Sequence, residues 1–275
     1  MRELPKAMSP TNKANDRSSN GEGMTPESRD ATKGWLQAIR RDWDARAKEN
    51  PRAYINWPEF ADNDDAFFAS GRQDYEKYVP PFLKKTEFDP RGKVALEIGC
   101  GIGRLAKWMS ADFGKYIGVD VSPEMVRKAS SYGFANAEFQ AASGGDLARI
   151  ASESVDFVFS FAVFQHVPDK DAIFNYFAET ARVLRRGGIF RLHMKGLWSL
   201  TFGGLALEAG YIQKGGAANT GRSRWPFIRV RNLDTWQGQS IRPGEAKAKC
   251  EETGLEVVDV EAAWTPMMWV GGRKK

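Results

Sequence analysis

The stretch from Val94 to Arg104, VALEIGCGIGR, constrains the fold of this chain more than any other. Val94-Ala95-Leu96 is an apolar run, followed by Glu97-Ile98 and a break at Gly99, the pattern of a short buried strand entering a tight glycine turn. Beyond Arg104 the apolar positions Leu105, Trp108 and Met109 recur three and four apart, which makes them the inner face of a helix. Strand, glycine loop and helix therefore follow one another. Loops of this kind lay backbone close to a bound nucleotide, because Gly99, Gly101 and Gly103 carry no Cβ to obstruct it.

The next short apolar run, Tyr116 to Asp120, ends in an acid 21 positions after Gly99. A carboxylate at a strand end about 20 residues beyond a glycine loop can accept hydrogen bonds from both hydroxyls of a ribose. The plainer alternative is an ordinary strand-end acid, and its joint spacing with the three glycines argues against that. Ser122-Pro123 then opens a helix as N-cap and first helical residue. Ala137 to Ala141 reads as a third strand, Ser154 to Ser160 as a fourth, and Ile189 to Met194 as a fifth. Between the last two, a helix from Asp169 presents Ile173, Phe177, Ala181 and Leu184 to the sheet and ends at Gly187-Gly188.

The loop is Gly99-x-Gly101-x-Gly103, with Arg104 standing where the last glycine of a dinucleotide GxGxxG fingerprint belongs, and Glu97 lies two residues before it. E-x-G-x-G-x-G followed by Asp120 resembles the class I S-adenosylmethionine-dependent methyltransferases, of the small-molecule, methyltransferase-domain 11/25 type. Ser154-Val155-Asp156-Phe157-Val158-Phe159-Ser160 and the later Gln165-His166-Val167 are similar to the family's S-F-D-x-V-x-S and Q-H-V, with Val155 in place of Phe. The resemblance implies a Rossmann-like seven-stranded, mostly parallel sheet with helices on both faces, an antiparallel last strand, and S-adenosylmethionine as cofactor. It also implies that Glu97, Gly99, Cys100, Gly101 and Gly103 run beside the cofactor's methionine part. Asp120 and Val121 would then meet the ribose, and Met125 would pack on the adenine. Asp146, or the backbone at Ala142 and Ser143, would meet the adenine amino group. Phe161, Ala162 and Gln165 border the cofactor on this reading, and His166 sits near the methyl acceptor as a base or as a pocket-wall hydrogen-bonding group. His193 reads as structural.

Upstream, residues 1–30 are rich in Ser, Asn, Gly, Pro and charge, and read as disordered. A helix is expected from Thr32, with Trp35, Ile39 and Trp43 forming one apolar stripe, to stop at Glu49 or Asn50 before Pro51. An aromatic connection and a second helical stretch around Phe67, Tyr75 and Tyr78 follow, ended by Pro80-Pro81. Residues 31–90 thus form a helical extension. In small-molecule methyltransferases such helices close over the cofactor; the alternative is aromatic packing on the sheet edge. Arg72, after Gly71, is a candidate partner for the cofactor's carboxylate, against the alternative of a solvated surface arginine.

Downstream, residues 91–275 read as the methyltransferase domain, with 196–240 as an insertion on the substrate side. The insertion is aromatic and basic: Lys214, Arg222, Arg224, Arg229 and Arg231 stand against Glu208 and Asp234. It can cap the acceptor pocket and favour an anionic acceptor, or it can hold a solvated basic strand with Ile228 and Val230 turned in. A helix from Pro243 to Gly254 and two strands, Leu255 to Val260 and Met267 to Val270, close the chain before a basic tail.

Composition narrows the class. At 275 residues with 42% hydrophobic content and a net charge of +5, the chain suits one α/β domain with additions, mildly basic and soluble. The N-terminus lacks the apolar core of a secretory signal, and Cys100 and Cys250 make no disulfide framework, so a cytoplasmic enzyme is expected. Neither a dedicated nucleic-acid module nor a metal-ligand spacing is evident, and no membrane partner is expected. The expected partner is a small-molecule acceptor, with the acceptor atom and oligomeric state left open. Two rivals stay open at this point: a nicotinamide-dependent oxidoreductase, and a non-catalytic cofactor-binding protein.

Overall fold

The computed structural model describes residues 26–56, 60–196 and 238–275, with side chains from Gly34 onward. Four helices precede the sheet: α1 (Pro26–Glu49), α2 (Pro51–Ile55), α3 (Asp64–Tyr78) and α4 (Pro80–Lys85). The sheet region then runs β1 (Val94–Ile98), α5 (Ala106–Asp112), β2 (Lys115–Asp120), α6 (Pro123–Ser131), β3 (Ala137–Ala141), β4 (Val155–Ser160), α7 (Lys170–Val183) and β5 (Leu184–Met194). It closes with α8 (Pro243–Glu252), β6 (Leu255–Glu261) and β7 (Met268–Lys274).

The seven strands lie in the order β3-β2-β1-β4-β5-β7-β6. β1 to β5 run parallel to one another, and β7 runs antiparallel to both β5 and β6. This is the Rossmann-like methyltransferase fold implied by the sequence. Strand order reverses between β1 and β4, and in an open α/β sheet the ligand crevice lies outside the carboxyl ends of the strands at that reversal.

Alternation along the strands builds a core on each face. Leu96, Ile98, Ile117, Val119, Val158, Phe190 and Leu192 meet Ile173, Phe177 and Ala181 of α7 on one side. On the other, Ala95, Tyr116, Phe157, Phe159 and Trp269 meet Tyr75, Phe82 and Met109. A third, smaller cluster joins Ala47 of α1, Phe67 and Phe68 of α3, Met125 of α6 and Ile102 of the glycine loop. It packs the N-terminal helices over the carboxyl edge of the sheet.

Several boundaries differ from the sequence reading. α1 begins at Pro26, inside the stretch read as disordered and ahead of Thr32; proline is pre-set for a first helical turn. Residues 1–25 lie outside the described residues, as does 197–237, which holds nearly all of the insertion and its basic residues. The connection after Asn50 is helical, because the Asn50 side chain accepts from the Ala53 N–H and Pro51 takes the first position. Leu184 belongs to β5 and not to the helical stripe: it pairs with Val155, and the next paired residue is Ile189, opposite Phe157. The four intervening residues form a bulge, and Gly187 supplies its left-handed residue (φ 74°). The basic tail is part of β7, where Arg273 pairs with Ile189.

Candidate functional site

The glycine loop turns back on β2. Gly99 and Cys100 donate their N–H groups to the Val119 carbonyl at 2.7 and 3.0 Å. Gly99, Gly101 and Gly103 all hold positive φ, at 74°, 54° and 84°, so a side chain at any of them would be strained as well as obstructive. The Cys100 thiol points into the sheet beneath Gly118 and is buried, so only its backbone belongs to the loop.

Asp120 faces this loop. Its Oδ2 accepts from the Gly101 N–H and its Oδ1 from the Ser122 N–H, each at 2.9 Å. Burial pushes its carboxyl up to about 6, against the pull of the Ser122 and Gly101 N–H groups. Glu97 is more deeply set. The Tyr116 hydroxyl donates to its Oε2 at 2.5 Å, and burial pushes its carboxyl up to about 7, with Tyr116 and Arg104 drawing it back.

α1 crosses the same edge and is tied at both ends. Asp44 Oδ1 accepts from the Ser122 hydroxyl at 2.5 Å and the Glu124 N–H at 3.2 Å, at the start of α6. Trp35 Nε1 donates to Asp169 Oδ2 at 3.2 Å, at the start of α7. Between these anchors the Trp43 ring meets His166 edge-on at 5.6 Å. Ile55 of α2 lies over Gly101, its Cδ1 2.7 Å from where a Cβ would stand, and Val163 Cγ2 lies 2.2 Å from the same position on Gly99. Two aliphatic side chains thus cover the loop, and a ligand resting on its backbone requires them to move aside.

The remaining residues expected at the site fall into three groups. Asp146 borders a cleft of about 310 Å³ with Arg40, Ala142, Ser143 and Leu147, at the carboxyl end of β3. Val121 packs on the loop at Gly144, and Met125 is buried in the cluster beneath α1. Past β4, Phe161 stacks on Trp269 at 5.4 Å and leans on Tyr78 at 5.0 Å. Gln165 turns toward His166, Nε2 to Nε2 at 3.2 Å. A second cleft, about 280 Å³, opens beside this aromatic group between Lys77, Tyr78, Glu261, Met267 and Trp269. His193 is buried at about pKa 4, held down chiefly by desolvation, and its Nδ1 accepts the Ala162 N–H at 3.1 Å. It is therefore neutral and fixes the left-handed turn at Ala162 (φ 59°).

Arg72 is not where the sequence reading put it. It points to solvent on α3, pairs with Glu76 at 2.7 Å and covers the Trp108 ring. The face of α3 that meets the loop is instead set by Gly71, where a Cβ would lie 2.2 Å from the Arg104 carbonyl oxygen. Arg104, which ends the glycine loop, is the buried arginine of this region. It is 6% exposed, donates from Nη1 to Asp74 at 2.6 Å and Ser70 at 3.4 Å, and stands 5.9 Å from the Phe161 ring centre. Its place in the loop marked it in the sequence, but nothing local showed that it is buried. Asp44, Ile55 and Val163 were missed because only tertiary packing brings them to the loop.

Strand order and connectivity together give the Rossmann-like fold found in methyltransferases. Residues 96–192 match the family model described as a methyltransferase domain. Over 151 residues it is 28% identical to a ubiquinone biosynthesis O-methyltransferase of Xanthomonas oryzae pv. oryzae, covering 54% of this chain and 62% of that protein. The chain thus spans about three-fifths of that relative's length. Over 104 residues it is 38% identical to an arsenite methyltransferase of Halobacterium salinarum, covering 35% of this chain and 26% of that one. The fold is shared with magnesium protoporphyrin IX methyltransferase of Synechocystis PCC 6803, solved with bound S-adenosylhomocysteine. That match has a TM-score of 0.57 at 15% identity, over 87% of this chain and 99% of that one.

Among the described residues, no helix is long and apolar enough to cross a membrane, and no His, Cys, Asp and Glu cluster is arranged to hold a metal ion.

Proposed function

We propose that this protein transfers a methyl group from S-adenosylmethionine to a small-molecule acceptor by in-line displacement. The observation that carries the reading is the Asp120 carboxylate closing on the Gly101 N–H at the strand-order reversal. Three left-handed glycines, a strand-end acceptor one strand away and the buried Glu97 suit an adenosyl amino-acid ligand in size and polarity. When bound, that cofactor supplies an electrophilic methyl group on a sulfonium.

The chain's own part is to hold, align and dry the reactants. Asp120 accepts the ribose hydroxyls, Asp146 and the Ala142 backbone edge the adenine, and α1 with α2 closes the cleft. The acceptor enters beside Phe161, Tyr78 and Trp269, whose rings favour a flat or apolar face. His166, in the turn after β4, takes the acceptor's proton where one must leave. The names of the relatives range from ubiquinone biosynthesis to arsenite, so they support the donor rather than one acceptor. The basic insertion, through Arg222 and Arg224, favours an anionic group on it.

The test is to incubate the protein with methyl-labelled donor and fractionated metabolites. Labelled product is expected from wild type. Asp120→Ala should lose at least about tenfold in donor affinity, as a buried charged acceptor is removed. Binding of a nicotinamide dinucleotide in preference to the donor would overturn the reading. His166→Ala and His166→Gln both turning over normally would remove the base assignment alone.

A further inference from the structure

The turn that carries His166 is gripped from outside by the chain that leads into α8. The Gly238 N–H donates to the Gln165 carbonyl at 2.6 Å, and the Gln239 N–H donates to the Val167 carbonyl at 3.0 Å. One neighbouring segment thus holds the residue on each side of His166, whose own N–H donates to the Val163 carbonyl at 2.9 Å. The fit leaves no room. A Cβ on Gly238 would stand 2.6 Å from the Gln165 carbonyl oxygen, and equally from the nitrogen and the carbonyl oxygen of Val167. All three are main-chain atoms, which cannot swing aside as the end of a flexible side chain can, so only glycine allows this approach.

The same segment is fastened to the sheet. Ile241 is fully buried, donates its N–H to the Lys195 carbonyl at 2.9 Å and bridges Gly196 in parallel. Gly196 in turn donates to the Thr265 carbonyl at 3.0 Å, between β6 and β7. β7 carries Trp269, on which Phe161 stacks. Residues 238–241 therefore tie the His166 turn to the end of β5 and, through it, to the aromatic wall.

We propose that Gly238 and Gln239 are positioning residues for the acceptor side of the reaction: by holding Gln165 and Val167 they set where the His166 imidazole stands relative to Phe161 and Trp269. This rests on the reading of His166 above and adds the element that fixes its place. Bonds on both sides of one residue restrict its main chain from two directions, and displacing a reacting group by about 1 Å can cost about 100-fold in rate. The glycine loop is held by Val119 and Asp120 instead, so the donor seat does not depend on this segment.

The test sets Gly238→Ala beside Gly114→Ala, a matched insult at the amino end of β2, where a Cβ would also meet main chain, 2.6 Å from the Gly92 Cα. Three readouts are followed. The first is the His166 imidazole signal by NMR, assigned as the one that His166→Gln removes. The second is affinity for S-adenosylhomocysteine by calorimetry. The third is transfer of labelled methyl from S-adenosylmethionine to the metabolite fraction that wild type labels. Gly238→Ala should move the His166 signal, lower transfer by at least about tenfold and keep S-adenosylhomocysteine affinity within about twofold. Gly114→Ala should leave the signal in place, even where it lowers stability. Gln239→Pro removes one N–H and adds no bulk at residue 238, so it should move the signal as well, and it serves if Gly238→Ala does not fold. A His166 signal unmoved by Gly238→Ala and Gln239→Pro, or moved equally by Gly114→Ala, overturns the proposal. So does a moved signal with transfer at the wild-type rate. Wild type that binds no S-adenosylhomocysteine or labels nothing would overturn the donor reading instead, and the His166 signal alone would then decide whether this segment holds the turn.

Discussion

Burial at the two site carboxyls has a consequence that a titration can read. Glu97 sits at about 7 and Asp120 at about 6, above the unfolded values of 4.5 and 3.8. The folded chain therefore holds more protons than the unfolded one between those limits, so their contribution falls as pH rises through 6 to 7 and is most favourable below about 4. Glu97→Gln should gain about 3 kcal/mol over wild type at pH 8 and nothing at pH 4, measured by denaturant unfolding at both pH values. A gain that does not vary with pH would place the cause elsewhere. The same shifts predict donor binding. A cationic ligand favours the ionised carboxylates, so binding releases protons and affinity should climb between pH 6 and 7, as calorimetry in buffers of different ionisation enthalpy would show. At this scale the sequence was informative where chemistry is local. The three glycines, Glu97 and Asp120 could be read from spacing alone, because one loop and one strand bring them together. Arg72 could not be excluded that way, since the inward face of α3 is chosen by the contact of Gly71 with the Arg104 carbonyl, 33 positions away in the chain.

Among the elements, α1 is the one whose attachment is most separable from the rest. Two of its polar ties, Trp35 to Asp169 and Asp44 to Ser122, reach the starts of α7 and α6, while Ile39 and Ala47 supply buried apolar contacts. Trp35→Phe keeps the ring and removes one hydrogen bond, so it should loosen α1 by about 1 kcal/mol. Hydrogen exchange should quicken over residues 34–49 and stay unchanged in β1 and β4; equal quickening in the strands would mean that α1 is part of the global fold and not a separable cover. In α2, Ile55→Ala uncovers Gly101 and should speed donor association with little loss of stability, measured by stopped flow. The Trp35, Ile39 and Trp43 stripe announced a helix, and β3 could be read residue for residue, because period alone decides both. The bulge that takes Leu184 into β5 was hidden: a helix C-terminus and a strand bulge both call for glycine, and only pairing with β4 tells them apart.

For the molecule as a whole, the far end of the sheet is joined to its centre by charge as well as by strands. Arg191 of β5 is buried, 2.7 Å from Glu261 and 3.5 Å from Asp259 on β6, and its guanidinium lies over the Trp269 ring at 4.9 Å. Arg191→Ala would leave Asp259 to Lys85 alone and should cost about 3 kcal/mol, lowering the midpoint of thermal unfolding by several degrees; scanning calorimetry would check it. β6 also touches the sheet only through β7, although it comes before β7 in the chain. Until residues 268–274 have settled beside β5, residues 255–261 have no strand in the sheet to pair with. Trp269 lies on β7, and Phe161 leans on Trp269. The aromatic stack of Phe161 on Trp269 is therefore completed only by the last strand of the chain, and it needs residues 268–274 to be in place beside β5.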